Sequence, residues 1–420
     1  MKKIIFAENF TTLEKSHFYS SLSFLTYRIF SISKGKYKLK LENKFLDYFG
    51  AYDKKIVSFY NARTAIFQLL NNLGFKSKDE VIINSYNCIS VVNSIIQSGL
   101  TPIYVEIDKE NLGLDVDDLI KKIGPRTKAI IVQHTFGKPS NIKKIVNIAK
   151  ENNILLIEDC AHSLGSKIYD KKLGLFGDFA IFSTGRDKVI SGVNGGFLLI
   201  NNEKYFKLKN KIEKKLKKLN IKILLQNHLY NVLSFVGIKT YNFCSIGKTI
   251  IFLSKKFHLF NQVLDENEKK CENDKLYYSL PDSLAYIALD QLNKLFFIQK
   301  HRKSISIYYN ENIDNKMFNI LFKEQKQEDL NYFRYPILFK NAIDLESFYN
   351  YFKDKGIIFG TSWTGSNIAP KTSNLEKSKY KGDCKLAEDL SKNIIFLPNS
   401  TNVSIKDAEK IVKLINNYNV

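Results

Sequence analysis

The sequence lacks the features that mark secreted, zinc-binding and membrane-spanning proteins. Its 420 residues contain five cysteines, an odd number, and no two of them have a C-x-x-C spacing. Neither a disulfide framework nor a zinc ribbon is therefore expected, and a reducing cytoplasm fits best. No window offers the roughly 18 uninterrupted apolar residues of a membrane helix. The apolar run after the two N-terminal lysines ends before Glu8, which is too early for a signal peptide.

The composition is that of a folded protein with a large excess of positive charge. Hydrophobic residues make up 44% and charged residues 25%, which excludes disorder, collagen and coiled coil for most of the chain. Lysine and arginine number 64 against 42 acidic residues, a net charge of +22. Such an excess is typical of contact with nucleic acid, a membrane surface or a small anion, and it also arises from a general lysine bias.

Residues 57–200 alternate short β-branched runs with amphipathic stretches. Continuously apolar runs predict buried strands at 81–83, 102–105, 129–133, 154–157, 180–182 and 197–200. Helices are predicted between several of them, at 64–72, 89–97, 116–122 and 142–151. This alternation predicts an α/β fold with a mostly parallel sheet, in which the loops at the carboxyl ends of the strands form the site.

Changes in composition predict four segments along the chain. They are an N-terminal arm (1–44), a large α/β domain (45–200), a basic helical insertion (201–280), and a linking helix with a small α+β domain (281–420). Residues 201–260 contain 13 lysines against two acidic residues, which is half of the net charge. Within them, Leu225, Leu229, Val232, Leu233 and Val236 share one helical face. Residues 283–312 predict one long helix, and 335–339 and 394–397 predict strands.

Three segments near predicted strand ends offer a carboxylate, an amine and a helix N-terminus. LLIEDCAHSLGS ends an apolar strand in Asp159, FSTGRDKVISGVNGG places Lys188 in a loop 29 residues later, and YNARTAI opens a helix. These are the components of a pyridoxal phosphate site. The cofactor is held by an enclosed lysine with a lowered pKa, and a carboxylate such as Asp159 keeps its pyridine nitrogen protonated.

The rest of such a site also has candidates. The cofactor's phosphate favours backbone N–H groups at a helix N-terminus, hydroxyls and a cation, and the candidates are Ala62, Arg63, Thr64 and Ser183. Tyr86 is the candidate for the flat side chain that covers one face of the ring. No metal site is predicted.

Together these segments resemble the DegT/DnrJ/EryC1/StrS sugar aminotransferases, which are fold-type-I pyridoxal phosphate enzymes. The similarity runs with gaps from about residue 45 to 415 and includes GLTPIYVEIDKENLGLDVDDL and AYIALDQLNKL. It implies that Lys188 forms the Schiff base, that Asp159 pairs with the pyridinium nitrogen and that His162 contacts the ring hydroxyl region. It supports the phosphate roles of Ser183, Ala62 and Arg63 and the stacking role of Tyr86, and because relatives work as dimers, it implies a homodimer.

The resemblance also implies a reaction. An amino group would pass from an amino acid, expected to be glutamate, to a keto-sugar, expected to be nucleotide-linked, in surface-glycan or related biosynthesis. Some relatives dehydrate keto-sugars with His in the lysine position, and Lys188 speaks against that reaction. Arg334, Tyr335 and Trp363 are candidates for substrate contacts, with packing as an equal alternative.

The chain departs from the family at three motifs, where its own residues are Asn61-Ala62-Arg63, Val193-Asn194-Gly195-Gly196 and Tyr277-Tyr278-Ser279-Leu280. Relatives usually have Ser-Gly-Thr and Gly-Glu-Gly-Gly at the first two, and many have Asn-Tyr-Arg-Met at the third, where the Asn reaches a neighbouring subunit's phosphate. The trans-subunit contact is therefore in question, with Arg63 as the replacement cation. A second hypothesis is accordingly a catalytically silent or non-sugar protein of this fold that serves a glycan assembly pathway as a binding or membrane-associated component.

Structural alternatives stay open for individual residues: a helix cap for Asp159, core packing for His162 and Tyr86, and a surface position for Arg63. The basic stretch 204–238 is the candidate for contact with an anionic membrane, which would place a cytoplasmic protein at the inner membrane face. Its alternative is a solvated helix whose apolar face packs on its own domain or on a dimer partner. Nucleic acid is not expected as a partner, because no recognised binding motif accompanies the lysines.

Overall fold

The apolar runs predicted as strands assemble into a central sheet in the computed structural model, which describes residues 4–8, 12–28, 35–241, 243–260, 262–272, 277–341 and 344–418. The strands are, in chain order, β1 (Ile5–Phe6), β2 (Lys55–Phe59), β3 (Glu80–Asn84), β4 (Asn87–Cys88), β5 (Thr101–Val105), β6 (Thr127–Gln133), β7 (Leu155–Asp159), β8 (Lys167–Ile168), β9 (Lys171–Lys172), β10 (Phe179–Ser183), β11 (Gly196–Ile200), β12 (Phe318–Ile320), β13 (Glu328–Asp329), β14 (Tyr335–Phe339), β15 (Ile357–Ile358), β16 (Ile368–Ala369) and β17 (Ile394–Leu397).

Seven of these strands form the large sheet, in the order β2-β11-β10-β7-β6-β3-β5. The pairs from β10 to β5 are parallel, and β11 runs antiparallel to both of its neighbours. Every residue of β3, β10 and β11 is buried, which explains why these segments are continuously apolar. The predicted α/β fold with a mostly parallel sheet is confirmed.

The helices are, in chain order, α1 (Lys15–Ser23), α2 (Lys36–Phe49), α3 (Ala62–Leu70), α4 (Ile89–Gln97), α5 (Val116–Lys122), α6 (Ile142–Glu151), α7 (Lys207–Glu213), α8 (Ile221–Lys239), α9 (Ile246–Lys256), α10 (Glu266–Lys269), α11 (Asp282–Asn293), α12 (Leu295–Asn312), α13 (Leu345–Asp354), α14 (Lys385–Asn393) and α15 (Ile405–Asn416). The four helices predicted within the α/β region are confirmed as α3 to α6.

The prediction of one helix over 283–312 is wrong, because two helices, α11 and α12, meet at Lys294. The N–H of Lys294 donates to the carbonyl oxygen of Gln291 at 3.0 Å, so the last turn of α11 tightens to an i→i−3 bond. Leu292 and Leu295 are both buried on the two sides of this turn.

The apolar face predicted for the basic insertion is only partly buried in α8. The buried positions of this helix are Leu224, Asn227, His228, Tyr230, Asn231, Ser234 and Gly237. The amide of Asn231 and the imidazole of His228 both reach the hydroxyl of Ser21, at 2.9 and 3.2 Å. Because these polar groups have partners, the polar side of α8 packs inward and much of its apolar side stays accessible. Within the described ranges, no helix is long and apolar enough to cross a membrane.

The C-terminal part of the chain has its own core around the antiparallel sheet β12-β14-β17. The predicted strands at 335–339 and 394–397 are confirmed as β14 and β17. The N-terminal strand β1 pairs in parallel with β15, so the first described residues are fixed to this C-terminal part. The boundaries of the four segments stay predictions.

Candidate active site

The candidate site lies at the carboxyl edge of the large sheet, where β7 and β10 end side by side. Asp159 is the last residue of β7 and stands opposite Ile181 of β10. The loop from Thr184 to Gly195 connects β10 to β11 and carries Lys188. Its ends are fixed by a hydrogen bond of 2.9 Å from the N–H of Thr184 to the carbonyl oxygen of Gly195. The sheet thus brings the predicted lysine and carboxylate to one edge.

The charges of Lys188 and Asp159 influence each other in a poorly hydrated environment. Burial lowers the pKa of Lys188, and the nearby Cys88 and Asp159 partly oppose this shift. Burial raises the pKa of Asp159, against a 3.0 Å hydrogen bond from the N–H of Ala161 and the charge of Lys188. Lys188 is thus closer to its neutral form than an exposed lysine, and the carboxylate is short of a cationic hydrogen-bond partner.

His162 is buried in a stack of aromatic rings. Its imidazole lies between the rings of Phe136 and Phe333, at centroid distances of 5.5 and 4.7 Å. Burial, with the charges of Lys188 and Arg334, holds the pKa of His162 well below its ordinary value. The N–H of Phe136 donates to Nδ1 of His162 at 3.4 Å, so the neutral ring can donate one hydrogen bond from Nε2.

Tyr86 and Trp363 belong to the same aromatic cluster. The hydroxyl of Tyr86 donates to the backbone carbonyl oxygen of Trp363 at 2.5 Å, and their ring centroids are 5.4 Å apart. Tyr86 is fully buried and also meets Phe136 edge to face, at 5.9 Å. The structure gives both residues a packing role, and the predicted stacking of Tyr86 and substrate contact of Trp363 stay predictions.

At the other end of the site, the start of α3 lies directly against the start of β11. A methyl group at Gly196 would collide with the backbone of Asn61 and Ala62. Ser183, at the end of β10, pairs with this glycine and therefore lies near the N-terminus of α3. The next hydroxyl, that of Thr184, is buried and has no hydrogen-bond partner among the described residues. A helix N-terminus beside two hydroxyls favours an anion.

Two predicted phosphate contacts already have partners within the chain. Arg63 forms an ion pair with the buried Glu268 of α10, and its guanidinium also donates to the carbonyl oxygen of Val263 at 2.6 Å. The N–H and hydroxyl of Thr64 both donate to the side chain of Asn61, the N-cap of α3, at 3.0 and 2.8 Å. The Thr64 hydroxyl therefore has no proton left for an anion, and the charge of Arg63 is already paired with Glu268.

The structure separates two neighbouring substrate candidates, Arg334 just before β14 and Tyr335 at its start. Arg334 points to the site, with its guanidinium 5.4 Å from the ring of Phe333. Tyr335, for which the sequence leaves substrate contact and packing as equal alternatives, lies in the C-terminal core, where its hydroxyl donates to Asn310 at 2.6 Å. Arg334, in the bend before the strand, is thus the one of the two that lies near the site, whereas Tyr335 belongs to the C-terminal core.

The sequence pattern did not reveal several buried residues around the site. Phe136 and Phe333 resemble core residues in sequence, and Glu8, which pairs with Arg334, lies more than 300 positions away. A buried group of His134, Glu158 and Cys160 has ligand-type atoms within 4.8 Å of one another. Backbone N–H groups at 174, 176 and 177 donate to the Glu158 carboxylate, which therefore fixes this loop.

These residues fit pyridoxal phosphate at three points. Lys188 supplies an amine of lowered pKa, Asp159 supplies a buried carboxylate for a protonated ring nitrogen, and the N-terminus of α3 with Ser183 and Thr184 supplies an anion site. The positive charges of Lys188 and Arg334 both lower the pKa of His162 and so help to keep its imidazole neutral.

Comparisons with known proteins agree with this fit. The model of the DegT/DnrJ/EryC1/StrS aminotransferase family matches residues 27–227 and 254–416. GDP-perosamine synthase of Escherichia coli O157:H7 is 29% identical over 92% of this chain and 91% of its own. Two solved structures share the fold over 99% of this chain at 20% identity. Helicobacter pylori PseC, an aminotransferase in pseudaminic acid biosynthesis, has a TM-score of 0.74 over 98% of its chain. The E. coli GDP-4-keto-6-deoxy-D-mannose-3-dehydratase with bound hydrated PLP has a TM-score of 0.72 over its full length.

Proposed function

Because the chain belongs to the DegT/DnrJ/EryC1/StrS aminotransferase family, we propose that it transfers an amino group from an amino acid to a nucleotide-linked keto-sugar. Its cofactor is pyridoxal 5′-phosphate. The observation that carries the proposal is the placement of Lys188 and Asp159 at neighbouring strand ends, each with its pKa shifted by burial. The expected dimer belongs to this proposal.

The cofactor, when bound, supplies an electron sink for the carbon from which a proton is removed. Lys188 is suited to move that proton, because its lowered pKa leaves Nζ neutral in a larger fraction of molecules. The buried Asp159 would pair with a protonated ring nitrogen of the bound cofactor and keep that nitrogen charged. A lysine at this position supports amino transfer over dehydration.

The acceptor class is supported by the relatives' names. GDP-perosamine synthases of three bacteria and a dTDP-sugar 4-aminotransferase are among the similar proteins. These names contain a nucleotide-linked sugar or a nucleotide-linked amino sugar. We therefore propose a keto group on a nucleotide-linked hexose as the acceptor and glutamate as the donor, in the biosynthesis of a surface glycan.

A half-reaction screen tests this proposal. The purified protein, loaded with the pyridoxamine form of the cofactor, is mixed with single keto compounds, and the return of the pyridoxal absorbance is followed. We expect nucleotide-linked 4-keto-hexoses to react and 2-oxoglutarate, the keto product of the donor, to react in the reverse direction. If only simple keto acids react, the sugar assignment is wrong and the transaminase assignment stands.

A membrane-surface role is a second candidate, supported by the exposed face of α9 and its flanks. Phe252 and Phe257 are 62% and 63% exposed, and Ile246 and Leu253 on the same helix are also exposed. Lys248, Lys255 and Lys256 flank them within an insertion that carries half of the net charge. Exposed aromatic side chains beside lysines suit an anionic lipid surface. We propose this face, which lies C-terminal to the 204–238 stretch expected from the sequence, as the membrane contact.

Vesicle flotation distinguishes this role from a dimer contact. We expect the protein to float with vesicles that contain an anionic lipid and not with neutral vesicles, and the double variant F252S/F257S to lose most of this binding. Tyr52→Ser, which removes an aromatic side chain 74% exposed elsewhere, is the matched control. If the double variant floats normally but elutes as a monomer where the wild type is a dimer, the face is a dimer contact.

A further inference from the structure

Arg334 is held by a carboxylate from the other end of the chain. Its guanidinium donates to the carboxylate of Glu8, and both side chains are buried to nine-tenths or more. The hydroxyl of Ser362 donates to the same Oε1 atom, and the N–H of Ser362 donates to Oε2 at 3.2 Å. One carboxylate thus accepts hydrogen bonds from an arginine, a hydroxyl and a backbone N–H. This donor set would serve any carboxylate of suitable size.

The backbone around Glu8 holds this carboxylate in position. The N–H groups of Ile5 and Ala7 donate to the carbonyl oxygens of Gly356 and Ile358, both at 2.9 Å, which pairs β1 with β15 in a two-stranded sheet. Gly360 leaves the space that Glu8 fills, since a methyl group there would collide with the Glu8 side chain. Burial alone would raise the pKa of Glu8, but Arg334 and Ser362 hold it below the ordinary value, so the carboxylate is charged.

The carboxylate position borders the candidate active site. Arg334 and Lys188 both lie near the ring of Phe333, with their charged groups 5.4 and 5.7 Å from its centroid. A cavity of only about 10 Å³ remains beside Glu8 and Arg334, and Asp187, the neighbour of Lys188, also lines it. This space is enough for about one water molecule, so a further carboxylate has no room while Glu8 is in place.

We propose that Arg334 and Ser362 form the site that binds a carboxylate of the amino donor, and that Glu8 occupies it as an internal competitor in the free protein. The inference rests on the proposed function only for the identity of the donor. Binding of the donor then requires release of Glu8. The apparent affinity for the donor is therefore the intrinsic affinity multiplied by the fraction of molecules in which Glu8 is released. The N-terminal segment thereby sets the donor concentration that the enzyme needs.

Glutarate tests this inference, because it has the two carboxylates of glutamate and no amino group to transfer. Calorimetry on the cofactor-loaded protein should show glutarate binding to Glu8→Gln about tenfold more tightly than to the wild type. Arg334→Gln should abolish the binding. Glu272→Gln, which removes an exposed carboxylate paired with Lys377, is the control with the same change of charge and should match the wild type.

A second variant covers the case in which Glu8→Gln is too unstable to measure. Gly360→Ala leaves Glu8 and Arg334 intact but excludes the Glu8 side chain, so it should raise glutarate affinity in the same direction. In the wild type, saturating glutarate should speed hydrogen exchange at the amides of Ile5 and Ala7, because the N-terminal strand is released.

Equal glutarate affinity in the wild type, Glu8→Gln and Gly360→Ala, with unchanged exchange at Ile5 and Ala7, would overturn the inference. These measurements do not depend on the sugar. If they succeed while the half-reaction screen finds no keto-sugar, the carboxylate site stands and the proposed function fails. If the screen succeeds while glutarate binds equally well to the wild type and to Glu8→Gln, only the inference about Glu8 is wrong.

Discussion

The carboxyl edge of the large sheet and the basic insertion both bury polar side chains, but the hydrogen-bond partners of these side chains differ. In the insertion, His228 has Ser21 and Ser283 as hydrogen-bond partners, at 3.2 and 3.0 Å, and it stacks on Phe24. At the sheet edge, the Thr184 hydroxyl has no partner in the described ranges, and Asp159 is a buried carboxylate of raised pKa. The hydrogen-bonded His228 helps to hold the insertion in place, whereas Thr184 and Asp159 lie at a sheet edge that also carries Lys188 and so mark a place for a ligand.

The two regions also differ in their relation to the family. The family model covers the entire sheet edge but leaves out residues 228–253, which contain most of α8 and the first part of α9. The insertion is nevertheless attached to the sheet through Arg63 of α3 and Glu268 of α10. Substitutions at the edge should therefore abolish activity and change the free energy of unfolding little. Substitutions at the contacts of the insertion should lower the free energy of unfolding and change activity little.

The largest effect is expected for Lys188→Ala. Because the variant lacks the amine that we propose holds the cofactor and moves the proton, amino transfer should fall on the order of a thousandfold or more. The free energy of unfolding of the apo protein should change little, since the desolvation of the Lys188 amine outweighs its attraction to Asp159. Steady-state kinetics and denaturant unfolding check the two parts. Lys171→Ala, at an exposed position, is the control, and residual activity near the wild-type level in Lys188→Ala would contradict the account.

The second largest effect is expected for Glu268→Gln, in the insertion. Its partner Arg63 would keep a poorly solvated charge without its ion-pair partner, which typically costs about 3–5 kcal/mol of the free energy of unfolding. Denaturant titration measures this loss. Glu272→Gln, which breaks an exposed pair, should cost about 0–1 kcal/mol. If Glu268→Gln instead tightens cofactor binding without loss of stability, Arg63 is the phosphate cation predicted from the sequence.

A smaller effect is expected from His228 and depends on pH. Burial lowers its pKa from the ordinary 6.5 to about 3. The unfolded chain therefore binds a proton between these values while the folded protein does not, so the stability that the neutral imidazole provides is present above pH 6.5 and is lost as the pH falls towards 3. At pH 5 the loss is about 2 kcal/mol.

Unfolding titrations at pH 7 and pH 5 check this prediction. His228→Gln should lose less stability than the wild type between the two pH values, and the exposed His258→Gln should behave as the wild type does. An unchanged pH dependence in His228→Gln would show that the imidazole is not buried in its neutral form.

The sheet and the principal pair of the site could be predicted from the sequence, for a physical reason. Strands buried on both faces must be continuously apolar, and a pyridoxal phosphate site requires an amine and a carboxylate at strand ends, so these features leave a pattern in the chain. Lys188 and Asp159 could be found in this way. The break at Lys294 leaves no such pattern, because a single tightened turn changes no residue type.

The remaining residues depend on contacts between distant segments. Glu8 and Arg334 are 326 positions apart, and nothing in the local sequence of either indicates the other. The same holds for Arg63 and Glu268, whose pairing removes the cation assigned to the phosphate. Ser21 of α1 and Ser283 of α11 determine that the polar side of α8 packs inward. The apolar pattern of α8 itself does not indicate this.

The central claim is that Lys188 holds the cofactor at the edge of the large sheet. Its most direct test is to load the protein with pyridoxal phosphate, reduce it with borohydride and map the modified lysine by mass spectrometry of its peptides. The account predicts stoichiometric modification of Lys188 and none in Lys188→Ala. Modification spread over surface lysines, or a protein that takes up no cofactor, would contradict it.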